Sequence, residues 1–196
     1  MSDSSVVPPA VDVHSRVLRG ALECIEQHGL AKTTIEGVAQ RAGLSRATVY
    51  RHFPGGRDQV VSETVSWEVA RFLTRIEHAI HDVTDLEDLL TQALVVGHHA
   101  LEEHRLLHQV LSTEREALVH ELAANGPVVE DAVRAYLRAR LEADEATAIA
   151  DLDEAADYLA RLYLSFLSSS GAWDLHDLEV ARRLVRTQFL AGIRAR

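Results

Sequence analysis

Apolar residues return every third or fourth position along nearly the whole chain, the period of helices with one buried face. In residues 11–28, Val17, Leu18, Ala21, Leu22 and Ile25 share a side, and Gly29 ends the run. Thr34 then stands as an N-cap before Ile35, Val38, Ala39 and Ala42, and Gly43 sits where a left-handed residue closes a helix. Ser45 caps a third segment, 46–53, with Val49 and Phe53 facing inward, and Pro54-Gly55-Gly56 stops it. A long helix is predicted over 57–81, a break at 82–85 with Thr84 or Asp85 as cap, and a helix over 86–103. A short helix over 104–111 follows; Ser112 and Thr113 read as the cap of another, 114–123. Asn125-Gly126-Pro127 reads as a turn before a helix over 128–142. The last two segments, 147–169 and 174–194, have broad apolar faces and are separated by Ser168-Ser169-Ser170-Gly171. The pattern predicts an all-α protein.

The segments around Gly43 form a helix-turn-helix unit, whose second helix can lie in the DNA major groove. The residues Thr33-Thr34, Val38-Ala39, Ala42-Gly43-Leu44-Ser45 and Thr48-Val49-Tyr50-Arg51-His52-Phe53-Pro54 resemble the DNA-binding domain of the TetR family of transcriptional regulators. The likeness reaches back through Arg16-Val17-Leu18, Ala21-Leu22 and Gly29, and covers roughly the first third of the chain. Where that family usually has a Lys soon after Phe-Pro, this chain has Gly55-Gly56-Arg57. The resemblance implies an N-terminal three-helix DNA-binding domain, 11–57, behind a disordered tail, 1–10. It also implies a larger helical domain, 58–196, for effector binding and dimerisation.

Contacts to DNA are expected from Thr33 and Thr34 at a helix N-terminus, where free N–H groups suit a phosphate. Ser45 and the reading helix add Arg46, Ala47, Thr48, Tyr50, Arg51 and His52. Arg46 lies in the first turn, within reach of a guanine edge, and Ala47 and Thr48 suit a thymine methyl or a phosphate. By the resemblance, Tyr50 and His52 meet the DNA backbone; partial burial of Tyr50 against the first helix is the competing reading. Arg57 is expected at a phosphate.

The 196 residues carry a net charge of −10, which looks wrong for a DNA binder. Its distribution changes the picture. Residues 1–60 hold seven cations and six acids, the remainder 13 cations and 24 acids, and the stretch 32–57 holds five cations against Glu36 alone. A locally basic head in front of an acidic body orients the approach to DNA. The single Cys24 excludes a disulfide framework and a thiolate zinc site. No apolar run reaches membrane-span length and the first ten residues lack a signal-peptide pattern, so a cytoplasmic location is expected.

For the body, an effector cavity is expected among Trp67, Phe72, Leu94, His98, Leu101, Tyr136, Tyr163, Phe166 and Trp173, although Trp67 and Phe72 also read as plain core. By the resemblance, the last two helices pair with those of a second copy. Leu152, Ala156, Leu159, Ala160, Tyr163, Leu178, Leu184 and Phe189 are the expected interface. The expected partners are a palindromic DNA operator, a second copy of the chain and a small, at least partly apolar effector, with repression implied by the family alone. Two other readings stand beside it: a metal-sensing regulator and a constitutive DNA-binding protein. His98, His99, His104 and His108 cluster with Glu102 and Glu103, but there is neither an HExxH motif nor a cysteine among them, so no metal or cofactor is assigned. No Gly-rich phosphate loop or nucleophile elbow supports catalysis.

Overall fold

A computed structural model describes residues 12–144 and 149–193; the expected tail over 1–10 lies outside these. The chain is all-α. Three helices form the head: α1 (Val13–His28), α2 (Ile35–Ala42) and α3 (Arg46–His52). The body holds α4 (Gly56–Ile80), α5 (Leu86–Glu102), α6 (Arg105–Thr113), α7 (Arg115–Ala143) and α8 (Leu152–Ser168). Then α9 (Leu178–Leu184) runs through a π-helical stretch, Val185–Leu190, into a last turn, α10 (Ala191–Ile193). Among the described residues no helix is long and apolar enough to cross a membrane.

The starts of several helices are set by local chemistry. Thr34 and Ser45 accept from the N–H groups of Gly37 and Thr48, and Asp85, Asp151 and Asp177 do the same for α5, α8 and α9. The last two helices therefore begin later than their apolar pattern implies, at Leu152 and Leu178. Ser112 and Thr113 do not cap a new helix; they belong to α6, and their hydroxyls bond back to the Gln109 carbonyl.

The largest departure is at Asn125-Gly126-Pro127, where α7 continues as one 29-residue helix. A proline inside a helix costs about 3 kcal/mol. Tertiary packing outweighs that here because both halves of α7 are anchored. Leu118 is buried against α1 and α6, while Val133, Leu137 and Leu141 are buried in the body core.

Buried apolar side chains fall into three groups. The head core gathers Val17, Leu18, Val38, Val49, Phe53 and Val60. The body core runs from Phe72 and Ile76 of α4 through α5, α7 and α8 to Phe189 and Ile193. A small junction group, Ile25, Leu30, Val61, Val110 and Leu118, joins the two. Helix α4 contributes to all three.

The expected dimer residues are largely used up inside the chain. Ala156, Leu159, Ala160, Tyr163, Leu184 and Phe189 are buried within the single copy, closing α8 and the last helix onto α5 and α7. Their broad apolar faces are core, so they cannot be the surface that meets a second copy. Leu152 is half-buried, and Leu178 is 44% exposed.

Candidate nucleic-acid interface

The turn between α2 and α3 is closed by backbone and by one arginine. Gly43 takes φ +64°, and the Leu44 N–H reaches the Ala39 carbonyl at 2.9 Å, a Schellman ending. Nη2 of Arg16 donates to the carbonyls of Ala42 at 2.7 Å and Gly43 at 3.1 Å. The orphan carbonyls at the end of α2 thus receive a charged donor from α1, which sets the angle at which α3 leaves the turn.

Helix α3 buries Val49 and Phe53 completely and turns Arg46, Ala47, Tyr50, Arg51 and His52 outward. Arg46 is held at 2.7 Å by Glu36 on α2, with both side chains more than half exposed. Such a surface pair is worth only about 0–1 kcal/mol, so Arg46 can leave it for a base edge at little cost. Arg51 has no acidic partner among the described residues. The Ser45 and Thr48 hydroxyls lie 2.9 Å apart at the start of the helix, and Thr48 is half-buried.

Tyr50 is 45% exposed. It lies across the turn into α4, where a Cβ on Gly56 would come within 3.3 Å of its Cε1. Gly56 has φ +65°, so the glycine serves both the turn and the ring.

Two residues expected at DNA are engaged within the chain. Thr33 is 2% exposed, and its hydroxyl donates to the Gly29 carbonyl at 2.9 Å; it shapes the α1–α2 loop and faces away from solvent. Thr34, next to it, is exposed and is the actual cap of α2. Arg57 is not a free cation. Its Nη2 donates to the Leu30 carbonyl at 2.7 Å and its Nε to the Thr33 carbonyl at 3.0 Å, while Nη1 meets Asp58. It ties α4 to the loop before α2. Arg41 is likewise engaged with Gln27 and His28, and reaches the Cys24 sulfur at 3.3 Å. Burial pushes the Cys24 thiol up, only partly offset by Arg41, which leaves it an inert packing group.

Among the described residues, two cavities stand out behind the head. The larger, about 300 Å³, lies among α4, α5, α7 and α8, with Leu73, Ile76, Leu90, Val133 and Tyr136 in its wall. Val128, Thr74 and Glu77 on its rim are exposed, so it reaches the surface. The Tyr136 hydroxyl is buried without a hydrogen-bond partner among the described residues, and that burial pushes its pKa up. The Tyr163 hydroxyl, in contrast, donates to the Ala93 carbonyl at 3.1 Å. The smaller cavity, about 180 Å³, sits at the junction, between Leu22 and Ile25 of α1, Phe72 of α4 and Leu107 of α6.

Of the expected effector residues, Tyr136 and Tyr163 line the larger cavity, and Phe72 and Leu101 the smaller. Trp67, Leu94, His98, Phe166 and Trp173 line neither. Trp67 packs on the head core, Leu94 is fully buried body core, Phe166 lies against Phe189, and Trp173 sits under the Arg183 guanidinium. Most of the real lining is Val, Leu and Ile, which the sequence cannot tell from filled core.

The histidine cluster divides. His104 turns to α4: its Nδ1 accepts from the Leu107 N–H, capping α6, and its Nε2 lies 3.4 Å from Glu68. Burial raises the Glu68 carboxyl, but the His104 hydrogen bond and the charges of Arg71, His104 and Arg75 outweigh it and leave it low. His98 and Glu102 instead meet His176, a residue the sequence pattern did not connect to them.

Comparisons with known proteins agree with the helix-turn-helix geometry. Residues 17–64 match the family described as "Bacterial regulatory proteins, tetR family". An uncharacterised HTH-type transcriptional regulator of Mycobacterium tuberculosis is 31% identical over 131 residues, covering 61% of this chain and 67% of its own. Another from that organism is 26% identical over 156 residues, covering 80% and 75%. A putative TetR-family transcriptional regulator from Mesorhizobium loti has the same fold, with a TM-score of 0.63 at 18% identity over 93% of this chain and 97% of that one. The repressor QsdR of R. erythropolis gives 0.62 at 16% identity over 94% and 96%. The chain belongs to the TetR family: it is a DNA-binding transcriptional regulator and not an enzyme.

Proposed function

We propose that this regulator is a ligand-responsive repressor. Two copies bind a two-fold symmetric operator, and a mostly apolar small molecule in the 300 Å³ cavity releases them. In this reading the division falls into a head, 11–57, and a body, 58–196, with α4 passing from one to the other. Thr34, Ser45, Arg46, Ala47, Thr48, Tyr50, Arg51 and His52 carry the DNA contacts. Repression and dimerisation are carried over from the family.

The supporting observation is that α4 is a wall of the cavity and a strut of the head at once. Ile76 lines the cavity, Val60 is in the head core, and Arg57 holds the loop before α2. A ligand that fits only one position of α4 therefore favours one position of the head; equal affinity for both would shift nothing. The unpartnered Tyr136 hydroxyl adds a requirement for one hydrogen-bonding group on an otherwise apolar ligand. For the dimer, the faces left uncovered are the outer sides of α8 and the last helix, around Tyr158, Leu178 and Ala191. Two heads on one axis then read half-sites about 34–36 Å apart, or a multiple of that.

The test starts with operator selection from random duplexes and a thermal-shift screen of small apolar molecules. A stabilising molecule should release wild-type protein from the operator. Ala132→Trp, which fills the cavity from its exposed rim, should keep DNA binding and lose the response. A variant that still responds removes this cavity from the mechanism. Ala191→Arg should give monomers in light scattering and lower operator affinity, and an unchanged dimer refutes that face.

A further inference from the structure

The last turns of α5 and the connection before α9 bring four histidine and glutamate side chains together. His98 Nε2 lies 3.4 Å from Glu102 Oε1, and His176 Nε2 lies 3.1 Å from Glu102 Oε2. The His98 and His176 rings meet edge to face with centroids 5.1 Å apart. One donor atom from each of His98, Glu102 and His176 falls within 4.8 Å of the others. We propose that these three residues bind a divalent transition-metal ion such as Zn²⁺, with water completing the coordination.

The chemistry and the spacing both favour this. Two imidazoles and a carboxylate form a recurrent three-ligand zinc set with an open fourth position. A tetrahedral centre with bonds near 2.0–2.1 Å places its donors about 3.3–3.4 Å apart. The two histidines approach different oxygens of Glu102, and one donor atom from each residue already lies within 4.8 Å of the others, so the three ligands must draw in by about 1 Å to meet that edge. His98 and Glu102 stand one helical turn apart on α5 and share its face. They form a rigid pair that needs only one ligand from elsewhere.

His176 has a second hydrogen-bonding partner on its far ring nitrogen, here another imidazole. Its Nδ1 lies 2.8 Å from His99 Nε2. With the proton on Nδ1 donated to His99, the lone pair of His176 Nε2 points at the cluster. His99 is thus a positioning residue outside the coordination shell. The ion would join the α8–α9 connection to the end of α5. That end is already fixed to α6, since His108 Nε2 lies 2.8 Å from the Glu102 carbonyl. The site is independent of the effector cavity, whose lining includes none of these residues.

The experiment uses the full chain, stripped with a chelator and titrated with Zn²⁺ by calorimetry and with Co²⁺ by visible absorption. Wild type should take one ion per chain and melt at a higher temperature with Zn²⁺. His98→Ala, His176→Ala and the isosteric Glu102→Gln should each weaken Zn²⁺ binding at least tenfold. His99→Ala should weaken it measurably but leave the Co²⁺ spectrum unchanged, as suits a residue outside the coordination shell. His81→Ala, on the surface beside His78, should bind as wild type does. His98 is only 17% exposed, while Glu102 and His176 are about half-exposed and His99 is exposed, so an unchanged metal-free melting curve is required to verify the fold of each variant. Absence of stoichiometric uptake, or uptake that survives His98→Ala and His176→Ala, overturns the proposal. Neither result touches DNA binding or the effector cavity.

Discussion

The head and the body of this protein are held together by different forces. In the head, three arginines reach across helix boundaries. Arg16 binds the end of α2, Arg57 the loop before it, and Arg41 the last turns of α1. In the body the inner joints are apolar, with Leu90, Leu94, Leu159, Leu184 and Phe189 completely buried, and its cross-helix ion pairs, such as Arg182 with Asp88 and Arg161 with Glu130, lie at the surface above that core. A domain of three short helices buries too little apolar area to define a turn angle by packing alone. Charged donors on backbone carbonyls supply the direction that packing lacks. The body has area to spare and tolerates a cavity of about 300 Å³ beside its core. Precision sits in the DNA-binding head, and slack beside the body core.

The comparison can be broken first at its apolar end. Phe53 is completely buried in the small head core, and Phe→Ala in a core costs about 3–5 kcal/mol. Phe53→Ala should abolish DNA binding while most of the helical circular dichroism survives, because the body core does not contain Phe53. A single loss of all helix would mean that head and body are one cooperative unit.

Next in size is Arg57→Ala. It removes two charge-assisted bonds, and part of their worth is lost to solvent at a side chain 39% exposed, so about 2 kcal/mol of stability should go. The slope of DNA affinity against salt should not change in the folded protein. A slope that falls by about one, with stability intact, would return Arg57 to a phosphate.

Arg51→Ala should give the mirror image. Stability should hold within about 0.5 kcal/mol, and the salt slope should fall by about 0.9. The smallest effect is expected from Glu36→Gln, which frees Arg46 and removes an acid beside the DNA face. Operator affinity should rise by less than about 1 kcal/mol, chiefly at low salt. Weaker binding would mean that Glu36 holds Arg46 in its reading position.

What could be read from the sequence follows the same division. Thr34, Gly43 and Ser45 act within three or four residues of themselves, so caps and turn were legible, as was the helix-turn-helix they define. The family resemblance added the reading face. The arginines could not be sorted, because Arg16 and Arg57 differ from Arg46 and Arg51 only in what lies 24 to 27 residues away. Pro127 misled because a local signal was set against anchors at Leu118 and Val133 that only the fold brings into play. The apolar faces of α8 and the last helix were seen, yet nothing in a run of Leu and Ala says whether the same chain or another will cover it. His176 was missed for a similar reason: 74 residues separate it from Glu102.

One contact bears on how such regulators can be recombined. Glu114, between α6 and α7, accepts from the Ala31 N–H at 2.7 Å, and a Cβ on Gly29 would come within 1.8 Å of its Oε1. Gln109 of α6 donates to the Glu26 carbonyl at 3.0 Å. A chimera that grafts a foreign DNA-reading module onto this body must therefore bring a loop glycine at position 29. Without it, a side chain held at φ +87° would be strained and would push the Glu114 carboxylate off the Ala31 N–H, and specificity would be exchanged at the expense of the joint.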